Sequence, residues 1–221
     1  MEILYKDKNL IAVYKEAGTP SQPDLSEDAD AMTLCSAQLA EEGEKNTELF
    51  LVHRLDRVVG GVLVFARNKK YAAILSEAIS NRSAEKEYLA VVEGDAFGGT
   101  LTDFIYKDQR AGKAFVVDRK RAGVKEASLE YSPIDKKKIG ETTLTLVRIK
   151  LHTGRFHQIR VQFSSRKMPI VGDGKYGSRD KTARLPALFA FRFSLKLPIA
   201  KYEFEKMPNQ ENYPWSLFNY D

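Results

Sequence analysis

The chain has almost no cysteine, since Cys35 is the single one among 221 residues. An internal disulfide is therefore excluded, and a reducing cytoplasm is the expected compartment. Long apolar runs are also missing, because no stretch approaches the roughly 18 residues needed to span a bilayer. Charges interrupt residues 1–15 too often for a secretory signal. We expect a soluble protein with no membrane partner.

Internal repeats, low-complexity tracts and an obvious linker are absent as well. Apolar residues make up 43% of the chain and recur along nearly all of it, which is enough for a sizeable core. The length fits one large domain. We therefore expect residues 1–221 to form a single domain.

Charge of either sign is unevenly distributed. The net charge is +5, and residues 107–125 alone hold seven basic and two acidic side chains, a surplus of the same size. Residues 27–48 hold seven acidic side chains and one lysine. This segregation favours one face for an anionic ligand, although two solvated surface segments would give the same pattern.

Strand patterns outnumber helix patterns. Short, mostly apolar runs typical of strands occupy residues 10–14, 50–55, 62–66, 88–92, 142–149 and 189–197. Apolar residues recur at helical spacing in residues 31–42 and 70–80. Because strands do not alternate strictly with helices, the pattern predicts an α+β fold with a mixed, largely antiparallel sheet and flanking helices.

A third helix is predicted to begin after Gly154. In it, Phe156, Ile159 and Phe163 would share one face. Arg160 would lie at the edge of that face, partly buried. It would need an anionic partner, because an isolated buried charge is costly.

The first segment with chemical potential reads HRLDR at residues 53–57, between two strand patterns. Asp56 stands between Arg54 and Arg57, and if the strand continued this far, Leu55 would face the opposite side. An arginine close to an aspartate lowers the pKa of the carboxyl by about 1–3 units. Such an ionised carboxylate suits a nucleophile or a base. A salt-bridged aspartate at a strand end is the alternative.

The second segment, LHTGRFHQIRV at residues 151–161, opens the predicted third helix. Arg155, His157, Gln158 and Arg160 gather at a helix start, where free N–H groups and the helix dipole attract anions. A bound phosphate or carboxylate fits this pattern, and so does a basic helix start that contacts only water.

The third segment, EKEYLAVVEG at residues 85–94, ends as a plain buried strand. Tyr88 at the beginning of the strand could stack on a base, a contact worth about 1–3 kcal/mol. A single tyrosine in a strand more often belongs to the core, so this segment alone does not establish a ligand site.

Together, the three segments resemble the motifs of the RluA family of pseudouridine synthases. HRLDRVVGG from His53, KEYLAVVEG from Lys86 and LHTGRFHQIRV from Leu151 are similar to the family patterns HRLDxxTSG, KxYxAxVxG and LxTGRxHQIRV, in the same order. Residues 3–24 look like the N-terminal strand pair of that family, and residues 169–177 and 185–195 look like its C-terminal portion. The resemblance covers nearly the whole chain.

The resemblance implies a pseudouridine synthase-like catalytic domain without a separate N-terminal RNA-binding domain. Such an enzyme isomerises uridines in rRNA or tRNA to pseudouridine after flipping the base. It works as a monomer on RNA and not on DNA, and it uses no metal and no organic cofactor. By similarity, Asp56 starts the cleavage of the C1′–N1 bond, Arg160 pairs with Asp56, and Tyr88 lies against the uracil.

The resemblance also suggests how the RNA is held. Arg54 would enter the RNA where the target nucleotide leaves, and filling that gap offsets part of the cost of base flipping. Leu55 and Ile159 would form apolar walls of the site. The basic stretch around Arg119, Lys120 and Arg121 is the expected RNA-binding hairpin loop, because phosphate contacts dominate affinity for nucleic acids.

Four positions depart from the family pattern. Val59 and Gly60 stand where Thr-Ser is usual, and we expect Gly60 to loosen the turn that presents Asp56. Glu16 follows Lys15 where a proline is frequent, and Phe189 replaces a common histidine. None of these changes removes a residue to which the resemblance assigns chemistry.

Other patterns do not support a cofactor or a metal. Residues 172–177 fit GxGxxG, but the required strand does not precede them and they are expected to form a loop. His152 and His157 are not at the i, i+4 spacing of a zinc pair on a helix.

Two other function classes stay open. One is a non-catalytic RNA-binding protein or chaperone on a synthase scaffold. The other is a nucleosidase or glycosidase, which would need a second carboxylate such as Glu85, Glu87 or Asp173.

Overall fold

Three α-helices and eleven strands occur in residues 1–198 and 200–220, which the computed structural model describes. The helices are α1 (Ala31–Glu41), α2 (Lys69–Ser80) and α3 (Gln158–Ser164). The strands are β1 (Glu2–Lys6), β2 (Leu10–Lys15), β3 (Phe50–Leu51), β4 (Gly60–Ala66), β5 (Ala84–Glu93), β6 (Gly99–Asp108), β7 (Lys113–Val117), β8 (Val124–Ile139), β9 (Thr142–Leu151), β10 (Leu188–Leu197) and β11 (Ala200–Glu205).

The chain divides into two units. The first contains Met1–Lys86 and Phe189–Pro208, and the second contains Glu87–Leu188 and the described residues from Asn209 onward. In the first unit, β1, β2, β4 and β10 are hydrogen-bonded in that order, with β3 on β4 and β11 on β10. In the second unit the order is β9, β8, β6, β7. Whether the chain acts as the single domain expected from the sequence stays a prediction.

The fold class expected from the sequence is confirmed. Of the pairings just named, β10 with β4 is parallel and the others are antiparallel. The sheet is therefore mixed and largely antiparallel, and helices accompany it. This is the α+β arrangement that the excess of strand patterns predicted.

The two long helices begin where the chain supplies caps. Asp30 accepts a hydrogen bond from the N–H of Thr33 at the start of α1, and Asn68 accepts one from the N–H of Tyr71 at the start of α2. Each cap satisfies a backbone donor that has no partner within the helix. Both helices lie within one residue of the predicted limits. Cys35 in α1 is fully buried, and none of the helices in the described residues is long and apolar enough to cross a membrane.

The core of the first unit lies between α2 and the central strands. Leu75 of α2 packs with Val62 and Val64 of β4 and with Phe193 and Leu195 of β10. The last two residues alternate along β10 as the pattern in residues 189–197 predicted. Burial of such side chains contributes about 1.5–3 kcal/mol each to stability.

Strands β6, β7 and β8 were not predicted. The segment from 107 to 125, expected to be an RNA-binding hairpin loop, contains the end of β6, the whole of β7 and the start of β8. Arg119, Lys120 and Arg121 lie in the loop that joins β7 to β8 and are exposed. The strand pattern was hidden because charged side chains interrupt the apolar residues.

We expect Gly61→Ala to disrupt the junction of β4 and β10. Gly61 has a φ of +130°, and a Cβ there would stand 2.2 Å from the carbonyl oxygen of Ala190, its partner on β10. Backbone strain and overpacking together should lower the free energy of unfolding by about 2 kcal/mol or more. Urea denaturation measures this loss.

Gly174→Ala is the matched control, because a Cβ at Gly174 would meet no atom within 4 Å. Equal stabilities of the two variants would contradict the proposed close approach at Gly61.

Candidate active site

The loop that carries Asp56 is held by the end of β2. Lys15 has no exposed surface, and its ammonium donates to the carbonyl oxygens of Glu16, Thr19 and Arg57 at 3.0, 2.7 and 3.3 Å. Burial lowers the pKa of Lys15 to about 8, while the charge of Asp56 raises it and that of Arg57 lowers it further. A buried charge with three acceptors fixes the backbone on one side of Asp56.

The backbone on the other side of Asp56 is fixed by a serine. The hydroxyl of Ser21 accepts from the N–H of Leu55 at 3.1 Å and donates to the carbonyl of Leu55 at 2.9 Å. The N–H of Val59 donates to the carbonyl of Asp56 at 3.0 Å and closes the turn. Leu55 is buried, and Asp56 is half-buried. The position of Asp56 is therefore determined by backbone contacts on both sides.

The predicted strand at residues 50–55 is wrong beyond Leu51. The Nε2 atom of His53 accepts the N–H of Val64 at 3.1 Å, so a side chain takes the donor of β4. The ring of His53 also stacks on Phe193 with 5.1 Å between centres. Burial lowers the pKa of His53 to about 3, with a smaller contribution from Lys86, so the ring is neutral and can accept. The chain leaves the sheet here, and the expected alternation of Leu55 against its neighbours does not apply.

Gly60 does not loosen the turn as expected. It is the first residue of β4 and is buried. A Cβ there would stand 3.2 Å from the backbone nitrogen of Ala17 and 3.4 Å from the ring of Phe189. Close packing, and not conformational freedom, distinguishes this glycine.

The two arginines beside Asp56 have different surroundings. Arg57 donates from Nε to the carbonyl of Gly18 at 2.9 Å and forms an ion pair with Asp28. Arg54 is exposed. Arg57 therefore ties the loop to residues 18–28, whereas Arg54 is accessible to a ligand.

In the second unit, α3 starts later than predicted. The side-chain oxygen of Gln158 accepts from the hydroxyl of Thr153 at 2.8 Å and from the N–H of Arg155 at 3.0 Å, and its amide donates to the carbonyl of Ser128 at 3.1 Å. These bonds hold residues 153–157 as a loop, so Phe156 precedes the helix. The short helix makes the predicted anion site at its start less favourable, and that site stays a prediction.

Arg160 has the anionic partner that its burial requires. Its Nε and Nη2 atoms donate to the two carboxylate oxygens of Asp173 at 2.7 and 2.8 Å. The side chains are 5% and 1% exposed. Such a bidentate pair fixes the plane of the guanidinium, and its central carbon lies 4.9 Å from the ring centre of Tyr176.

Tyr176 connects α3 to the hairpin of β6 and β7. Its hydroxyl accepts from the N–H of Ala114 at 2.8 Å and lies 2.8 Å from Nδ1 of His157. Burial, helped by the charges of Arg160, Lys175 and Lys107, lowers the pKa of His157 to about 3. The neutral Nδ1 can thus accept a hydrogen bond from the hydroxyl of Tyr176. His157 has a left-handed backbone, with φ of 52°, and this contact helps to hold it there.

Tyr88 is a buried residue in the middle of β5, 7% exposed. The strand begins at Ala84, earlier than predicted. The preceding residue, Glu87, is also buried and accepts from Arg148 at 2.6 Å. Ile159, the other apolar residue assigned to the site, is 4% exposed.

The predicted site residues therefore form two groups. Arg54, Leu55 and Asp56 share one loop of the first unit. The second unit contains the remaining residues: Tyr88, Arg119, Lys120, Arg121, Ile159 and Arg160. Their roles stay predictions.

Three positions were not assigned to the site from the sequence. Lys15 and Tyr176 gave no chemical pattern, and Asp173 was considered only as a second carboxylate of a glycosidase. The need of Arg160 for an anion was the available clue to Asp173. No cluster of three or more His, Cys, Asp or Glu side chains that could hold a metal ion occurs in residues 1–198 and 200–220.

Comparisons with known proteins agree on one family. A family model described as RNA pseudouridylate synthase matches residues 9–165. The chain is 31% identical over 212 residues to ribosomal large subunit pseudouridine synthase D of Borreliella burgdorferi, covering 92% of this chain but only 63% of that protein, less than two thirds of its length. It is 34% identical over 194 residues to tRNA pseudouridine synthase C of Haemophilus ducreyi, covering 84% and 77%.

A solved structure agrees with these relatives. Human RNA pseudouridylate synthase domain containing 4 has a TM-score of 0.77 and 25% identity, over 94% of this chain and 89% of that chain.

We predict that Asp173→Asn destabilises the second unit by about 3–5 kcal/mol, because it removes the charge of the carboxylate that binds the buried guanidinium of Arg160 with two hydrogen bonds. Chemical denaturation of Asp173→Asn, Arg160→Met and the double variant gives the coupling energy between the two sites. The double variant should lose less stability than the sum of the single variants. Additive losses would show that the pair is not coupled.

Proposed function

Because this chain belongs to the RNA pseudouridylate synthase family, we propose that it converts uridines of structured RNA to pseudouridine, with Asp56 as the catalytic carboxylate. Family membership also confirms the RluA-type resemblance of the three motifs. The observation that carries the proposal is the fixed loop of Asp56, in which Lys15 and Ser21 hold the backbone while Arg54 is exposed. A catalytic group needs such a rigid support.

The proposed reaction breaks and reforms bonds within one nucleotide. Asp56 starts the cleavage of the C1′–N1 bond, the freed uracil rotates, and a new bond joins C1′ to C5. A proton then leaves C5, and N1 takes up a proton, so that the product is an isomer of the substrate. The atoms of the substrate are conserved and its oxidation state is unchanged, so the reaction consumes no phosphate donor, oxidant or reductant. Tyr88 is proposed to lie against the uracil and assist proton removal, and Arg160 to orient the carboxylate of Asp56.

The RNA is proposed to be held by other residues of the same motifs. Arg54 would fill the gap left by the flipped nucleotide, and Leu55 and Ile159 would line the site. The two relatives described above are named for rRNA and for tRNA, and we propose RNA of one of these classes as the partner. We also propose that the protein acts as a monomer in the cytoplasm and that it has no DNA or membrane partner.

Asp56→Ala and the isosteric Asp56→Asn should lower pseudouridine formation by at least about a thousandfold. RNA binding should persist, because the phosphate contacts that dominate affinity are unchanged. The measurement is nucleoside analysis and pseudouridine mapping of total RNA from cells that carry each variant in place of the wild type. Glu48→Gln, which neutralises an exposed carboxylate of the same unit, is the control.

The outcomes separate the proposed enzyme from its alternatives. Release of free uracil would contradict isomerisation and favour a nucleosidase. RNA binding with no pseudouridine made by the wild type on any cellular RNA would favour a non-catalytic RNA-binding protein.

Neutralising Arg119, Lys120 and Arg121 together to glutamine should weaken RNA binding and flatten its salt dependence. Loss of three contacts to single-stranded phosphates lowers the slope of log K against log salt by about 2. The matched control neutralises three exposed lysines of the first unit, Lys45, Lys69 and Lys70. An unchanged slope in the first triple variant would refute the role of the loop.

A further inference from the structure

The hairpin of β6 and β7 has two different faces, because successive side chains of a strand point to opposite sides. Ile105 and Ala114 belong to the cluster that includes Val161 of α3. Tyr106 and Phe115 follow them on the adjacent positions and are direct partners in the register of β6 and β7. These two residues, the outer aromatic patch, therefore lie on the face away from α3.

Phe115 is unusually accessible for an aromatic residue in a strand, with 42% of its surface exposed. It lies on β7, the last strand in the order β9, β8, β6, β7. A single exposed apolar side chain is common and does not by itself indicate a binding site. Its surroundings decide whether it can bind a ligand.

Two cations lie near the outer aromatic patch. The guanidinium carbon of Arg121 lies 5.9 Å from the ring centre of Tyr106. The ammonium of Lys113 lies 5.7 Å from the ring centre of Phe115 and 5.2 Å from that of Tyr176, so it stands at the edge of the hairpin between the two rings. The loop between β7 and β8 runs over the same face, since a Cβ at Gly123 would stand 3.7 Å from the ring of Tyr106. This loop also carries the exposed Arg119 and Lys120.

We propose that the outer aromatic patch is a second RNA contact, on which an unpaired base stacks while the cations of the β7–β8 loop bind the neighbouring phosphates. Aromatic platforms beside basic grooves bind single strands without regard to sequence, since every base has a stacking face. An acidic peptide would use the cations but would gain little from the rings. The inference rests on the proposed function for its choice of RNA as the ligand.

The contact concerns a nucleotide other than the target uridine. Arg160 belongs to α3, which packs on the opposite face of the hairpin through Val161. A base stacked on Phe115 is thus separated from Arg160 by the sheet itself. The patch would increase the affinity for the RNA and help to position the target uridine, without taking part in the chemistry.

A second exposed phenylalanine provides a matched comparison. Phe97 is 77% exposed, and the ammonium of Lys136 lies 4.3 Å from its ring centre. Lys136 also forms an ion pair with Asp95, which offsets its charge. Phe97 therefore has the aromatic surface and one cation, but not the arginine-bearing loop.

The test measures binding of a short fluorescein-labelled oligouridylate by fluorescence anisotropy. Phe115→Ala should weaken binding about 5- to 150-fold, the range of base–aromatic stacking, with an unchanged salt slope because no phosphate contact is lost. Phe97→Ala should bind like the wild type. Wild-type affinity of Phe115→Ala, or equal losses in both variants, would overturn the proposal.

A second variant reports stacking directly and preserves an aromatic side chain. Phe115→Trp, combined with Trp215→Phe to remove the single native indole, should show quenching of its fluorescence by the oligouridylate. Absence of quenching at saturating oligouridylate would overturn the proposal. Equal quenching by a glutamate-rich peptide would overturn it in favour of a protein ligand.

The result is independent of catalysis. Asp56→Ala should bind the oligouridylate like the wild type. If the wild type makes no pseudouridine and Phe115→Ala still loses affinity, the proposed function fails and the stacking site stands. If the wild type makes pseudouridine and Phe115→Ala keeps full affinity, the stacking site alone fails.

Discussion

A single buried ammonium group holds the backbone on which Asp56 depends. Lys15 is the last residue of β2, and its ammonium joins the nearby carbonyls of Glu16 and Thr19 to the carbonyl of Arg57, which is distant in sequence and lies next to Asp56. Removing this buried ammonium would take a charged donor from three carbonyl groups, and a hydrogen bond to a charged group contributes about 1.5–3 kcal/mol. The end of a strand and the loop of the carboxylate therefore behave as one rigid element. Ser21 completes this element through its two bonds to Leu55.

The second unit also contains a buried cation, Arg160, which is neutralised by an ion pair with Asp173. Arg160 is buried together with five other residues of the seven in α3, and Asp173 compensates its charge. Tyr176 then links this pair to the backbone of Ala114 in the hairpin. One face of the hairpin thus contacts Tyr176, which lies against Arg160. The other face exposes Phe115 to solvent. Strand alternation alone allows the same five residues of β7 to serve both purposes.

Local signals determined how far the sequence predicted the fold. Helices α1 and α2 were predicted within one residue because the helical spacing of their apolar residues is a local signal. The prediction of a strand at residues 50–55 was wrong beyond Leu51, because the imidazole of His53 takes the place of a backbone acceptor for β4. A hydrogen bond from a strand to a side chain produces no periodic pattern in the sequence. The predicted start of α3 was also wrong because of a side chain. Gln158 accepts hydrogen bonds from Thr153 and Arg155 and so holds the residues before the helix as a loop.

The candidate site was predicted to a different extent. Motif resemblance identified the residue types and their order, which is information carried by short segments. It did not identify Asp173 as a partner of Arg160, because that pairing depends on how α3 packs against a later loop. The supporting role of Lys15 was hidden for the same reason, because the fold alone brings the carbonyl of Arg57 to its ammonium.

The enclosed position of Cys35 in α1 has a practical consequence for spectroscopy. Burial raises the pKa of this thiol to about 11, and reagents such as maleimides react with exposed thiolates. The native protein should therefore not react with cysteine-directed labels under native conditions. A spin label or fluorophore attached at one introduced cysteine would report from a single known place, without prior replacement of Cys35 and the cavity that such a replacement creates.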